Sequence, residues 1–287
     1  PAYFGMQEKE ATIKSGKLAG LNVLKLINEP TAAAVSYCTK QFQENETILV
    51  YDLGGQTFDV TIVKMEVIAK EDGLEIPKMT VVDCDGDNHF GGTDWDQALY
   101  RYILEAVLDD NGLEESDLEP EQRQDIRAKV EVNKKKLSYK ESVNINININ
   151  GALTSVTITR EDFESITDSL VQKTIDDVDT ILEKNAGVCI DTVLLVGGST
   201  FMPMIQEAVE SKFPGIVQKH DPNLEVAMGV ALYGALVQKG DNSISNYKQK
   251  LKKETKDLLF EFETSNLQLK LKIRNREYYN MHRIRCK

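Results

Sequence analysis

The eight residues Asp52-Leu53-Gly54-Gly55-Gln56-Thr57-Phe58-Asp59 constrain this chain more than any others. A β-branched, apolar run from Ile48 to Leu53 ends at this acid, turns through glycines, and returns as a second run from Phe58 to Met65. The pattern reads as two strands joined by a tight turn. Backbone N–H groups in such a turn can form an anion-binding nest. Glycine allows both positive φ and close approach to a ligand. The adjacent carboxylate of Asp52 could hold Mg²⁺ through water, since that ion keeps waters and prefers oxygen ligands. Thr57 adds a hydroxyl. An ordinary tight hairpin with a surface acid has the same pattern, so this segment alone leaves both readings open.

The rest of the chain supplies the frame. Residues 7–27 read as a polar-to-apolar helix, followed by Asn28-Glu29-Pro30, where proline restricts the residue before it. The small-residue run Thr31-Ala32-Ala33-Ala34 permits close helix packing. A third strand is expected from Met79 to Cys84. After Gly91-Gly92 the period changes: Trp95, Ala98, Leu99, Tyr102, Ile103, Ala106 and Val107 follow helical spacing, with Trp95 on the core face. A second helix begins with Pro120 in its first turn. Val143, Ile145, Ile147 and Ile149 alternate strictly with asparagines, and Asn150-Gly151 marks a turn before a partner strand ending near Ile158. The asparagine row is either a solvated face or a partner surface. Thr159-Arg160-Glu161-Asp162 has the form of a capping box for a long helix to about Asn185. A strand from Val193 to Val196, a helix from about Pro203 and a last helix from Asn223 to about Val237 follow. The order is βββα, an inserted α/β segment, then βα with a closing helix, which is α/β layering.

Two further segments could carry chemistry. Leu194 to Val196 is a buried-type strand that delivers Gly197-Gly198-Ser199-Thr200 beside a helix start. Those glycines would let a flat ligand approach the backbone, although a plain βα turn fits equally well. Glu131, Lys134, Lys135 and Ser138 fall along one side of a helix within two turns. A solvated charged face has the same spacing. Neither G-x-x-x-x-G-K-[ST] nor G-x-G-x-x-G is present. His89, His220 and His282 are far apart and form no acid–base–nucleophile pattern.

Charge excludes some classes and divides the chain. The 287 residues carry a formal net charge of −12, which argues against general nucleic-acid binding. From Lys239 onward there are 13 bases and 6 acids, a net of +7, leaving 21 bases and 40 acids before it, a net of −19. With Gly240-Asp241-Asn242-Ser243 at the break, residues 239–287 are expected to be a separate basic tail. The four cysteines, Cys38, Cys84, Cys189 and Cys286, are scattered without C-x-x-C spacing, so no zinc site or disulfide framework is indicated. No apolar run reaches the roughly 18 residues of a membrane span. Residue 1 is proline, and the chain is expected to begin within a domain.

Taken in order, the motifs resemble the nucleotide-binding domain of the seventy-kilodalton heat-shock chaperones. They are Pro1-Ala2-Tyr3-Phe4, Ile27 to Ala34, Asp52 to Val60, Gly91-Gly92-Thr93-Asp94-Trp95-Asp96 and Val193 to Pro203, covering residues 1 to about 238. The resemblance implies an actin-like ATPase fold of two ribonuclease-H-like lobes, with ATP or ADP and Mg²⁺ between them. Residues 1–40 would be a remnant of lobe I. Residues 41–238 would be lobe II, with an inserted subdomain at about 92–157. By the same resemblance Asp52 holds Mg²⁺ through water, while Gly54, Gly55, Gln56 and Thr57 form the second phosphate loop, with Thr57 also counted as catalytic. Glu29 lies beside the attacking water, and Pro30 couples nucleotide state to substrate affinity. Glu131, Lys134, Lys135 and Ser138 fall on the adenosine-binding helix, and Gly198, Ser199, Thr200 and Phe201 on the adenosine loop. The implied reaction is in-line attack of water on the γ-phosphate, driven mainly by positioning and charge stabilisation. The implied setting is a cytoplasmic stress response. The implied partners are unfolded polypeptides, bound through a peptide-binding domain absent here, J-domain co-chaperones and nucleotide-exchange factors.

Several residues depart from the family pattern. Nothing in residues 1–40 supplies the first phosphate loop or the lysine that follows it. Gln56 stands at a usual glycine position, where positive φ would be costly. Lys135 and Phe201 replace two adenine-flanking arginines, and lysine lacks the planar guanidinium. Asn223 stands where an acid is usual. Little or no ATPase activity is expected of this chain alone. The alternative is a non-enzymatic regulatory or co-chaperone module that keeps the lobe II surface. Only 25 residues follow Phe262, too few for a peptide-clamping β-sandwich. The tail is then either a poorly ordered or non-native end, or a basic segment that docks on a partner.

Overall fold

The computed structural model describes residues 1–2, 4–41, 45–71, 74–218 and 221–238. The expected tail from 239, together with Tyr3, His220, His282 and Cys286, lies outside the described residues. Residues 1–66 and 78–234 form one compact unit, and everything below belongs to it unless stated. Residues 67–77 and 235–287 form a second unit. Its described part consists of segments of two strands and the last residues of the final helix.

The central sheet has five strands in the order β3 (Leu74–Asp87), β2 (Phe58–Glu71), β1 (Thr47–Leu53), β6 (Thr192–Val196) and β7 (Val217–Gln218). β1 (Thr47–Leu53) pairs antiparallel with β2 (Phe58–Glu71) and parallel with β6 (Thr192–Val196). β7 (Val217–Gln218) extends the sheet in parallel beyond β6. β3 (Leu74–Asp87) runs longer than the expected Met79 to Cys84 and passes through Pro77. It is an edge strand, the place in a sheet where proline is tolerated.

β1 is buried along its whole length, because helices cover both faces of the sheet. On one face Ile48, Val50, Val63, Met65, Leu194 and Val196 pack with Ala33, Ala34, Tyr37 and Cys38 of α2 (Glu29–Gln41). On the other face Leu49, Tyr51, Leu53, Phe58 and Val60 join a larger core with α3 (Gly92–Asn111) and α5 (Arg160–Lys184). Trp95, Leu99, Ile103 and Val107 form the buried stripe of α3, so Trp95 sits in the core as its spacing predicts. α5 starts at the expected box: Thr159 Oγ1 accepts from the Asp162 amide at 3.0 Å, and Thr159 N–H donates to Asp162 Oδ2 at 3.0 Å. Such a cap contributes about 1 kcal/mol.

Between α3 and α5 lie α4 (Pro120–Leu137) and a two-stranded sheet, β4 (Ser142–Ile149) with β5 (Ala152–Thr159). Asn150 (φ 53°) and Gly151 (φ 88°) make the turn, matching the primed hairpin turns that need positive φ twice. The isoleucines of β4 are buried and the asparagines exposed. Thr157 Oγ1 donates to Asn144 Oδ1 at 2.8 Å on that outer face. α6 (Pro203–Lys212) and α7 (Glu225–Gln238) complete the order.

One element is shorter than the sequence reading. The expected helix over 7–27 is α1 (Met6–Leu18), and no residue of it is buried. Gly20 (φ 78°) ends it, with its N–H bonded to Lys17 O and that of Leu21 to Gly16 O. A left-handed glycine directly after a helix is the commonest way to stop one.

Candidate functional site

Parallel pairing of β1 and β6, with Asp52 opposite Val196, brings the carboxyl ends of both strands to one edge. In open α/β sheets that edge is where ligands bind. The turn Gly54–Thr57 and the segment Gly197–Phe201 leave it side by side. Gly197 takes φ 86°, and a Cβ there would strike the Leu53 carbonyl, so only glycine serves. Gly54 N–H closes its turn on Thr57 O at 2.9 Å. The amides of Gly55, Gln56 and Thr57 find no acceptor among the described residues. Three successive unpaired N–H groups are the makings of an anion nest.

Two adjoining cavities open here. The smaller, about 320 Å³, is lined by Glu29, Asp52, Gly54, Gly55 and Thr57, with Gly197, Asn223 and others behind them. The larger, about 840 Å³, is lined by Gly55, Gln56, Glu131, Lys134, Lys135, Ser138, Gly198, Ser199 and Phe201. Gly55 and Asn223 line both. All the expected site residues except Thr200 therefore converge on one region. Thr200 is fully buried, and its hydroxyl donates to Gly197 O at 2.7 Å, so it shapes the turn and lines neither cavity.

The electrostatics of the two cavities differ. Asp52 is 7% exposed, and burial pushes its carboxyl up to about 7, with the charges of Glu29 and its cross-strand neighbour Asp59 adding to the effect. Glu131 is largely solvated, and its hydrogen bond from Lys135, at 2.6 Å, holds its carboxyl below the usual range.

One expectation about the turn is overturned. Among the described residues the non-glycine residues at positive φ are Asn45 and Asn150, so Gln56 carries no left-handed strain. Neither Gly54 nor Gly55 takes positive φ. The tight positions are instead behind the turn. A Cβ on Gly91 would lie 2.7 Å from the Gln56 amide nitrogen and 2.8 Å from that of Thr57.

Sequence reasoning did not single out Thr93, Asp96, Tyr139 and Met202 as lining residues. Asp96 lies two residues past Asp94 in a quoted motif, and its pairing with Lys134 is a long-range contact without local signal. Exposed Tyr139 sits next to Ser138 beyond the end of α4, and with Phe201, 42% exposed, it gives the larger cavity two aromatic walls. No helix among the described residues is long and apolar enough to cross a membrane.

A family model described as Hsp70 protein matches residues 1–268. The match passes residue 238, where the motif-based resemblance ends, and includes the first thirty residues of the tail. It fits a mixed α/β unit whose sheet order is 3-2-1-6-7. This chain belongs to the Hsp70 family of chaperones, and it carries that family's actin-like, ATP-binding domain.

Proposed function

We propose that the two adjoining cavities are one nucleotide site, with phosphates in the smaller and the nucleoside in the larger. The observation that carries this reading is the free amide row of Gly55, Gln56 and Thr57 between a buried carboxylate and a cavity with aromatic walls. The residues fit Mg²⁺: Asp52 is a buried oxygen donor with little opposing charge, the kind of group that holds this ion through water. When bound, the ion neutralises charge on the phosphate oxygens.

In this reading Gly54, Gly55, Gln56 and Thr57 cradle the phosphates, and Glu29 orients the attacking water beside Asp52. Glu131, Lys135, Ser138, Gly198 and Phe201 border the nucleoside, with Phe201 and Tyr139 able to stack on a base. Lys134, Ser199 and Thr200 shape the walls. Hydrolysis then proceeds by positioning and charge stabilisation. Residues 41–238 form the nucleotide-binding lobe, with 92–157 as its inserted part, residues 1–40 belong to the neighbouring lobe, and 239–287 form a further basic segment. The protein acts in the cytoplasm with unfolded polypeptides, J-domain co-chaperones and nucleotide-exchange factors. Calorimetry with Mg-ADP tests the site. Heat of binding that disappears in Asp52→Ala supports it, and no heat up to millimolar ligand overturns it.

A further inference from the structure

We propose that Asn150 is a self-modification site, where the neighbouring Gly151 amide converts the asparagine to aspartate or isoaspartate, and that Asn148 restrains the rate. The site lies in the inserted segment and is independent of nucleotide binding. The chain contains two Asn-Gly pairs, Asn111-Gly112 and Asn150-Gly151, and the chemistry open to both is the same. The glycine nitrogen loses its proton to hydroxide and attacks the asparagine Cγ. An N–C bond forms, the Cγ–Nδ2 bond breaks, and ammonia leaves with a proton taken from water, which restores the hydroxide. Water then opens the five-membered imide at one of its two carbonyls, giving aspartate or isoaspartate. Glycine favours the attack because no Cβ crowds its nitrogen. Asn144, Asn146 and Asn148 are each followed by isoleucine, whose branched Cβ obstructs it.

The fold separates the two pairs. Asn111 is half-buried, and its Nδ2 donates to Val107 O at 2.8 Å and to Thr154 Oγ1 at 3.0 Å. Its leaving group is thus tied to α3 and β5, and the Gly112 N–H is held by the backbone carbonyls of Leu108 and Asp109. Asn150 is exposed at the hairpin tip, and its Oδ1 accepts one long bond, 3.3 Å, from Gln122 Nε2. Its Nδ2 has no partner among the described residues. The attacking nitrogen is restrained by a side chain instead of by backbone: Gly151 N–H donates to Asn148 Oδ1 at 2.9 Å. Asn148 is itself exposed on β4, so a change of rotamer frees the amide. The two products differ in consequence. Aspartate gives Gln122, in the first turn of α4, a charged acceptor near a helix N-terminus, where negative charge is favourable. Isoaspartate adds an atom to the main chain of a two-residue turn and disturbs the Ile149–Ala152 pairing that closes it.

Incubation of the full chain at mildly alkaline pH, followed by peptide mass spectrometry, compares the two pairs within one molecule. In the folded chain Asn150 should convert at least about tenfold faster than Asn111, whose amide must first give up two hydrogen bonds. In guanidinium chloride the two should convert at similar rates, since the difference belongs to the fold. Equal rates in the folded chain, or an Asn150 as fully protected as Asn111, overturn the proposal. Asn148→Ala should speed conversion of Asn150 about threefold or more and leave Asn111 unchanged. Asn148→Asp, which keeps an acceptor for the Gly151 amide, should not speed it. An unchanged rate in Asn148→Ala removes Asn148 from its restraining role. Hydrogen exchange of the β4–β5 ladder amides separates a freed glycine from a loosened hairpin. Ladder exchange unchanged in Asn148→Ala supports the restraint, and a rate gain matched by faster exchange along the whole ladder overturns it.

Discussion

Asp52 and Glu131 face neighbouring cavities and are kept in opposite ways. Asp52 is buried against two other acids at a strand end, and its proton is held up to a pH of about 7. Glu131 lies 62% exposed on α4, paired with Lys135 one turn away, and its proton is released more readily than usual. An exposed pair of that kind contributes little, because water already solvates both charges. A buried carboxylate without a cation stores an unfavourable energy that a bound cation would release. The smaller cavity is therefore where binding energy is concentrated, and the larger is where shape and stacking select.

The strongest test of this contrast compares adjacent glycines. Gly197→Ala must combine a left-handed φ with collision against the Leu53 backbone, and it should cost roughly 3–5 kcal/mol in urea unfolding. Gly198→Ala, on the side of the larger cavity, meets only the Asn223 amide oxygen at 3.1 Å and should cost less than about 1 kcal/mol. Comparable losses would erase the distinction between the two walls.

Next in size is Asp52→Asn, which should stabilise the ligand-free protein at pH 8 by roughly 2–4 kcal/mol while removing Mg-nucleotide binding. The sign follows from the direction of the shift. A carboxyl whose folded pKa lies above its unfolded value favours folding fully at low pH, where both states are protonated. That contribution is lost as pH rises from about 4, where the unfolded chain ionises, to about 7, where the folded one does. The difference in stability between the natural chain and Asp52→Asn should therefore grow over that window and level off above it. A difference that stays flat from pH 4 to 8 contradicts a buried, cation-poor Asp52. Mg-ADP should bind more tightly at pH 8 than at pH 6, since the acid must be ionised to hold the ion.

The smallest effect belongs to the exposed pair. Glu131→Gln should change stability by no more than about 0.5 kcal/mol, and a loss above 1 kcal/mol would mean the pair is less solvated than its exposure indicates. Its influence on ADP affinity should also be weaker than that of Asp52→Asn.

Much of this was legible because it is written at short range. The apolar run Ile48–Tyr51 marks β1 as a strand, the Ile/Asn alternation of β4 signals burial on one face, and Asn150-Gly151 and the Thr159 box announce their own geometry. The family motifs bring Glu29, Asp52, Gly54, Gly55 and Thr57 to one cavity. Other features depend on partners distant in sequence. Helical spacing puts Lys134 and Lys135 on the same side but cannot say that Asp96, 38 positions away, will bury the first alone. Gln56 raised an expectation of strain because its position usually holds glycine, yet the crowding falls on Gly91 and Gly197 behind it. Leu18, Leu21 and Leu24 extend an apolar pattern past the true helix end, and their exposure leaves no packing to draw them into one.

The contact between α2 and α7 has a mechanical consequence. A Cβ on Gly229 would overlap the Ala32 carbonyl, so the two helices touch backbone to backbone, directly after Glu29 and Pro30. Side chains ordinarily act as a compliant layer between helices, absorbing small displacements by changing rotamer. Here that layer is missing. At this point Ala32 and Gly229 cannot slide past each other by changing rotamer, so a displacement of one backbone there must be met by the other.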